Sequence, residues 1–245
     1  MTLRIAFDLD GTLADMDAAL MRQAESLFGA TVGRPAQEAS ADPPTPAVEG
    51  DSEQSVAEGS TENISGLASL RPRQHRQLWQ HVKSIEDFWL TLNEIEPGVI
   101  RRLATLASER QWEIIFLTKR PQTIGSTAQV QTQRWLEAKG FFLPSVFVVQ
   151  RSRGQIADAL GLDIVVDDRP ENCLDVVVDS KARAILVWRE DEQDLPPNTR
   201  RLGIGVVKSA AECLDILIQV DTPGDPRGMM DRVKRLLGLK DGASV

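Results

Sequence analysis

An apolar run, Leu3-Arg4-Ile5-Ala6-Phe7, breaks off into Asp8-Leu9-Asp10-Gly11-Thr12, and this junction constrains the chain more than any other stretch. A strand covered on both faces reads as a near-continuous apolar run, and such strands belong to parallel sheets flanked by helices. Ligands of open α/β sheets bind beyond the carboxyl ends of those strands, where Asp8 falls. Gly11 lets the backbone bend without a Cβ clash, so Asp8 and Asp10 can turn into one crevice. Two carboxylates sharing a pocket call either for one to be protonated or for a hard divalent cation between them, with Mg²⁺ the best fit. An ionised Asp is also a competent nucleophile, and a neighbouring Asp of raised pKa can protonate a leaving group. The competing reading is an Asp-Gly turn between two strands with both acids in water. The helical pattern that follows Thr12-Leu13-Ala14 argues against it.

The remainder alternates as a parallel α/β sheet requires. Helical spacing is read over 15–28 with Gly29 as its stop, over 70–82, and over 84–92 with Ser84 as N-cap and Asp87 in the first turn. After Pro97-Gly98 come a helix over 99–108, a strand ending at Leu117, and a helix over 127–139 stopped by Gly140. A strand over 145–149, a helix to Leu160, a strand to Val166, strands at 182–188 and 205–207, and a helix opened by the capping-box pattern Ser209-Ala210-Ala211-Glu212 complete the core. Short loops in this order imply right-handed crossovers.

Two further strand ends carry polar residues. Trp112-Glu113-Ile114-Ile115-Phe116-Leu117 runs into Thr118-Lys119-Arg120-Pro121, and Asp163-Ile164-Val165-Val166 into Asp167-Asp168-Arg169-Pro170. With Asp8-Leu9-Asp10-Gly11-Thr12-Leu13, these segments resemble, in order, the first, second and fourth motifs of the haloacid dehalogenase superfamily of phosphatases. The resemblance implies a Rossmann-like parallel sheet core with a small helical cap inserted after the first strand. On that reading residues 1–14 and 97–222 form the core, 15–96 the cap insertion, and 223–245 an amphipathic helix and tail. The family's third motif places a Lys upstream of the paired acids, whereas here the stretch is Gln150-Arg151-Ser152-Arg153-Gly154-Gln155, and no Lys occurs between Lys139 and Lys181. Arg153, just before a helical pattern, is the first candidate for that cation and Arg151 the second. An Arg binds phosphate through a planar fork and is not equivalent to the point charge of a Lys.

Net charge is −8 over 245 residues, and most of it lies in one tract. Between Arg34 and Glu62 seven acids face one Arg, a local −6, which leaves −2 for the rest (−8 minus −6). The same tract holds Pro35, Pro43, Pro44 and Pro46 among Ser, Ala and Gly. Residues 33–66 therefore read as a flexible acidic loop, a solvated spacer more than a partner-binding segment. Nothing in the charge distribution favours a nucleic-acid polymer, which wants a concentrated basic face. No run reaches membrane-spanning length, so no membrane partner is expected and a soluble, cytoplasmic protein is the default. Cys173 and Cys213 lack metal-ligand spacing and read as reduced structural thiols. His75 and His81, six apart on a helix, do not share a face well. The tail places Met229, Met230, Val233, Leu236 and Leu237 on one side, either docking on the core or serving a homodimer.

Within the superfamily, the small cap and the segments at Thr118 and Asp167 look most like the 5′(3′)-deoxyribonucleotidase branch. That resemblance implies hydrolysis of a small phosphate monoester, such as a nucleoside monophosphate, with Mg²⁺ as cofactor. Asp8 would attack phosphorus, forming an aspartyl-phosphate, and Asp10 would protonate the leaving alkoxide and then activate water. Thr118 and the backbone at Leu9, Asp10, Gly11 and Thr12 would hold phosphoryl oxygens, aided by Lys119, Arg120 and Arg153. Asp8, Asp10 and Asp168 would bind the metal, with Asp167 orienting metal-bound water. Phe88 and Trp89 would either pack against the first helix or face the crevice and stack on a flat group. A phosphotransferase or mutase using the same intermediate, and a non-catalytic relative silenced by loss of the Lys, are the alternatives.

Overall fold

The computed structural model describes residues 2–29, 67 and 70–221. The acidic tract over 33–66 and the amphipathic tail over 223–245 lie outside the described residues. Six strands, β1 Arg4–Asp8, β2 Glu113–Thr118, β3 Ser145–Val148, β4 Ile164–Asp167, β5 Arg183–Val187 and β6 Gly205–Val207, form one sheet in the order β3-β2-β1-β4-β5-β6. All five pairings are parallel, with Phe7 opposite Phe116 on one side and Val166 on the other. The order therefore runs outward in both directions from the β1/β4 boundary, which places a crevice at the carboxyl ends of β1 and β4.

Alternation along the strands divides the core in two. Ile5, Phe7, Ile114, Phe116, Ile164 and Val166 point to one face, where they meet α3 (Val99–Arg110), α4 (Ala128–Ala138) and α7 (Ala210–Val220). Ala6, Leu117, Val165, Ala184 and Leu186 point to the other, against α5 (Arg153–Leu160) and α6 (Pro170–Asp179). The small Ala6 and Ala184 let that layer approach closely. Gly154 completes the fit, since a Cβ there would lie 2.1 Å from the carbonyl oxygen of Asp175 on α6.

Between β1 and α3 the described chain forms α1 (Met16–Phe28), α2 (Pro72–Ser84) and a 3₁₀ turn (Phe88–Thr91). Asp15 caps α1, accepting from the Ala18 amide at 3.0 Å. The expected helix over 84–92 is absent. Ser84 is the last residue of α2, its hydroxyl donating to the His81 carbonyl; the extended Ile85 ends that helix, and the left-handed Asp87 (φ 47°) opens the 3₁₀ turn. Phe88 and Trp89 are buried and pack on α4, and neither lines the cavity. The Trp89 amide donates to Gln131 and its indole to the Pro121 carbonyl, both at 3.0 Å, which fixes the pair in the core.

Helix α6 was not anticipated as a helix. Its Val176-Val177-Val178 run has β-branched side chains that favour strands, but Pro170 at its first turn and burial of Cys173 and Val176 against the sheet override that preference. Both cysteines are free and buried. His75 contacts the Leu67 carbonyl and His81 the Gln23 side chain, so the two share no site. Among the described residues no helix is long and apolar enough to cross a membrane.

Candidate active site

The carboxyl ends of β1, β2 and β4 deliver Asp8, Thr118 and Asp167, and the turn after β1 delivers Asp10. Above them opens a cavity of about 680 Å³ lined by Asp8, Asp10, Lys119, Arg153, Asp168 and Arg169, among others. Asp8 is 5% exposed. Its carboxylate pairs with Nη2 of Arg153, and Nε of the same guanidinium lies 3.5 Å from Asp167. Arg153 is thus the cation set against Asp8, placed there as the first residue of α5, one position after the Ser152 N-cap. Its Nη1 is buried and has no partner among the described residues. Arg151, by contrast, is exposed and borders a separate shallow groove with Phe147 and Ile156.

Burial pushes the Asp8 carboxyl well above the ordinary carboxylate range, and the charge of Asp167 adds to it, while Arg153 opposes. Asp168 is pushed up to about 7 by burial and by Asp167, with the Thr12 hydroxyl, donating at 3.0 Å, pulling the other way. Lys119 is held below its usual value by burial and by the positive charges of Arg153 and Arg169. Buried acids gathered in this way would be relieved by a bound cation.

Asp10 is engaged differently. The Thr118 hydroxyl donates to Oδ2 at 2.7 Å, Arg120 Nε donates to both oxygens at 2.8 and 3.1 Å, and Arg120 Nη2 lies 2.7 Å from Oδ1. Arg120, only 2% exposed, has its guanidinium carbon 5.1 Å from the Trp89 ring centroid and 5.7 Å from that of Trp135, and also bonds Thr132. It lines the cavity, as a substrate-binding role requires, and it also braces Asp10, stacked between two indoles as a desolvated guanidinium favours.

Other expected residues are placed with equal definition. Leu9 and Thr12 are buried and do not line the cavity, and the same holds for Thr118. Gly11 does line it, with φ 91°, and a Cβ there would lie 2.2 Å from Oδ2 of Asp168, so only glycine lets the turn approach that carboxylate. Asp167 lies below, outside the lining. Its oxygens accept from the Asn172 side chain at 2.9 and 3.0 Å and from the Arg169 amide at 2.9 Å, which leaves it poorly placed as a direct metal ligand.

Among the described residues no three His, Cys, Asp or Glu side chains gather as a ligand set. A cation here would rest on the carboxylates of Asp8 and Asp168, on backbone carbonyl oxygen and on water. That donor set suits Mg²⁺, which takes one or two carboxylates and keeps several waters. The close approach of Gly11 to Asp168 is a cradle of that kind.

Residues 48–200 match the family model described as 5′ nucleotidase, deoxy (pyrimidine), cytosolic type C protein. The chain belongs to that family. The match spans the strand ends of β2 and β4 and does not include Asp8 or Asp10, so the first strand end is an observation independent of it. Family and fold together make the chain a phosphatase of the haloacid dehalogenase class. No curated protein matches the chain. Among solved structures, a Thermotoga maritima protein provisionally described as a beta-phosphoglucomutase is 17% identical, with TM-score 0.51, over 89% of this chain and 100% of that one. A haloacid dehalogenase family hydrolase from Deinococcus radiodurans R1, crystallised with bound phosphate and sodium, is 14% identical, with TM-score 0.51, over 89% of this chain and 96% of that one. These likenesses bear on the fold alone.

Arg189, with Glu96 behind it, borders the same site, and no sequence signal singles out either residue. Arg189 lines the cavity and bonds both Glu96 and the turn after β1. Neither lies in a motif, and their contacts span 93 residues or more.

Proposed function

We propose that this chain hydrolyses a phosphate monoester, with a nucleoside monophosphate as the substrate class, through Asp8 as nucleophile and with Mg²⁺ bound. The observation that carries the reading is Asp8 at the end of a central strand, opening on a cavity flanked by Lys119 and Arg153. A carboxylate oxygen of Asp8 attacks phosphorus, and the bond from phosphorus to the leaving oxygen breaks. Asp10 donates a proton to that oxygen, then takes one from the water that attacks phosphorus and releases Asp8. Asp10 must rotate away from Arg120 and Thr118 to reach the leaving group, for which its place on the cavity wall leaves room. Arg153 balances Asp8 between turnovers and offers its unpartnered Nη1 to an anionic oxygen, and Lys119 meets the phosphoryl group from the β2 end. Mg²⁺, held by Asp8, Asp168 and the Asp10 carbonyl, would offset the clustered acids and the charge of the phosphate. Asp167 holds the Arg153 and Arg169 positions beneath them. Residues 15–96 serve as the cap, with Trp79 on α2 among the residues facing the cavity.

The test is a panel of nucleoside monophosphates and sugar phosphates with Mg²⁺, set beside an Asp8→Asn control. Wild-type turnover well above that control, greatest for nucleotides, is expected. Turnover equal to the control overturns the mechanism, and a preference for sugar phosphates overturns the substrate class.

A further inference from the structure

The turn that carries Asp10 is held on its outer side by a device no motif describes. Within the turn, the amides of Leu13 and Ala14 both donate to the Leu9 carbonyl, and the Gly11 amide donates to Ala14. Its outward carbonyls are met from elsewhere. Arg189, just beyond β5, donates from Nη1 to the Gly11 carbonyl at 2.7 Å and from Nη2 to the Thr12 carbonyl at 3.0 Å. The Ile95 amide donates to the Leu13 carbonyl at 2.9 Å, and the Asp15 amide to the Asn93 carbonyl at 2.9 Å. The turn is therefore pinned between Arg189 and the segment that returns from the insertion.

Arg189 is itself pinned. Its Nη2 donates to Glu96 at 2.9 Å, and the two oxygens of Glu96 accept from the Ala210 and Ala211 amides at 2.8 and 2.9 Å, in the first turn of α7. A carboxylate at a helix N-terminus is well placed electrostatically, and a guanidinium fork bridges two carbonyls and a carboxylate in a way a Lys cannot. The hydrogen bonds Arg189 makes among the described residues all go to the turn and to Glu96.

We propose that Arg189, anchored through Glu96 to α7, is a positioning residue that fixes the turn over 9–15 and so sets Asp10 and Gly11 against Asp168. The consequence for turnover rests on the reading of Asp8 and Asp10 given above; the structural consequence does not. Misplacement of a catalytic group by a fraction of an ångström to an ångström lowers turnover by about 10- to 100-fold. Arg189→Ala is expected to lower kcat on a phosphate monoester by that factor with KM changed by less than about 3-fold, the mark of a lost transition-state arrangement. Arg189 faces an open cavity, so added guanidinium restores part of the loss, whereas Arg189→Lys restores little. Glu96→Gln has a smaller effect, and the double variant is no worse than Arg189→Ala alone because the two act as one unit.

Hydrogen exchange on the full chain supplies a readout free of catalysis. Amides over 9–15 are expected to exchange at least about 10-fold faster in Arg189→Ala, with the β4 and β5 amides unchanged as evidence of an intact core. Unchanged exchange over 9–15 overturns the proposal, as does faster exchange with unaltered kcat. A rise in KM alone would mark Arg189 as a substrate contact and overturn it too. Absence of wild-type turnover would sink the functional reading, while the exchange experiment would still decide the clamp.

Discussion

Arg153 holds Asp8 and Asp167 at one buried place, so its charge and its reach matter separately. Removing one member of a buried pair leaves the other uncompensated, at a cost of about 3–5 kcal/mol. Arg153→Met is expected to lose that much stability in urea titrations, and Asp8→Asn in the same chain to recover only part of it, because Asp167 has lost the same partner. Arg153→Ala should likewise lower turnover far more than Arg151→Ala, because Arg151 is exposed on another surface. Glu96 gives a pH signature. Burial pushes its carboxyl up, but the Ala211 and Ala210 amides and Arg189 outweigh that and hold it below the usual range. A group depressed on folding contributes stability above its unfolded value of about 4.3 and loses it as pH falls through the folded value. Glu96→Gln should thus be less stable than wild type at neutral pH, by under about 1 kcal/mol given its partial exposure, with the gap closing toward pH 3 in urea midpoints. Asp8 and Asp10 could be singled out as candidates from a local signal, the strand end, and Asp168 and Arg153 from the resemblance of their segments to the family's motifs. Glu96 and Arg189 could not be, since a charged residue beyond a strand has no local mark of the turn it will meet 178 positions away.

Elements were legible in proportion to how far their residues settle their own conformation. The Ser209 cap stands where the capping-box pattern puts it, and Asp15 and Thr127, read as the first residues of their helices, are in fact N-caps, each of the three accepting from an amide three residues on. Ser84 fails as a cap because α2 is already formed through it, and Trp89 instead satisfies its indole on Pro121 across the core. Helix α6 hid behind its valines, which tertiary burial made helical. The α5–α6 contact offers a test of how tightly that layer is packed. Gly154→Ala places a methyl group 2.1 Å from a backbone carbonyl, which cannot swing aside as a side chain would. A loss of about 1–3 kcal/mol is expected, read as a shift in denaturant midpoint with little change in its slope.

Across the whole molecule, alternation of helix and strand signalled a parallel sheet but not its order. Which strands flank β1 follows from crossover direction, which no single segment encodes. The proposed cation is the global test of the site. Mg²⁺ at 100 times its dissociation constant should stabilise the fold by about 2.7 kcal/mol, raising Tm by roughly 5–10 °C for a domain of this size. Asp168→Asn should abolish that shift, and a shift that survives the substitution would place the ion elsewhere. The pairing of β1 has a further consequence for synthesis. Ile5 aligns with Ile114 and with Ile164, so β1 leaves the ribosome more than a hundred residues ahead of either neighbour. At about 5–20 residues per second, this strand waits roughly 10–30 s for both neighbours. A nascent chain stalled before β2 would therefore carry a strand whose side chains from Ile5 to Asp8 are all destined for burial with neither neighbour yet made, and chaperones would find a binding site there.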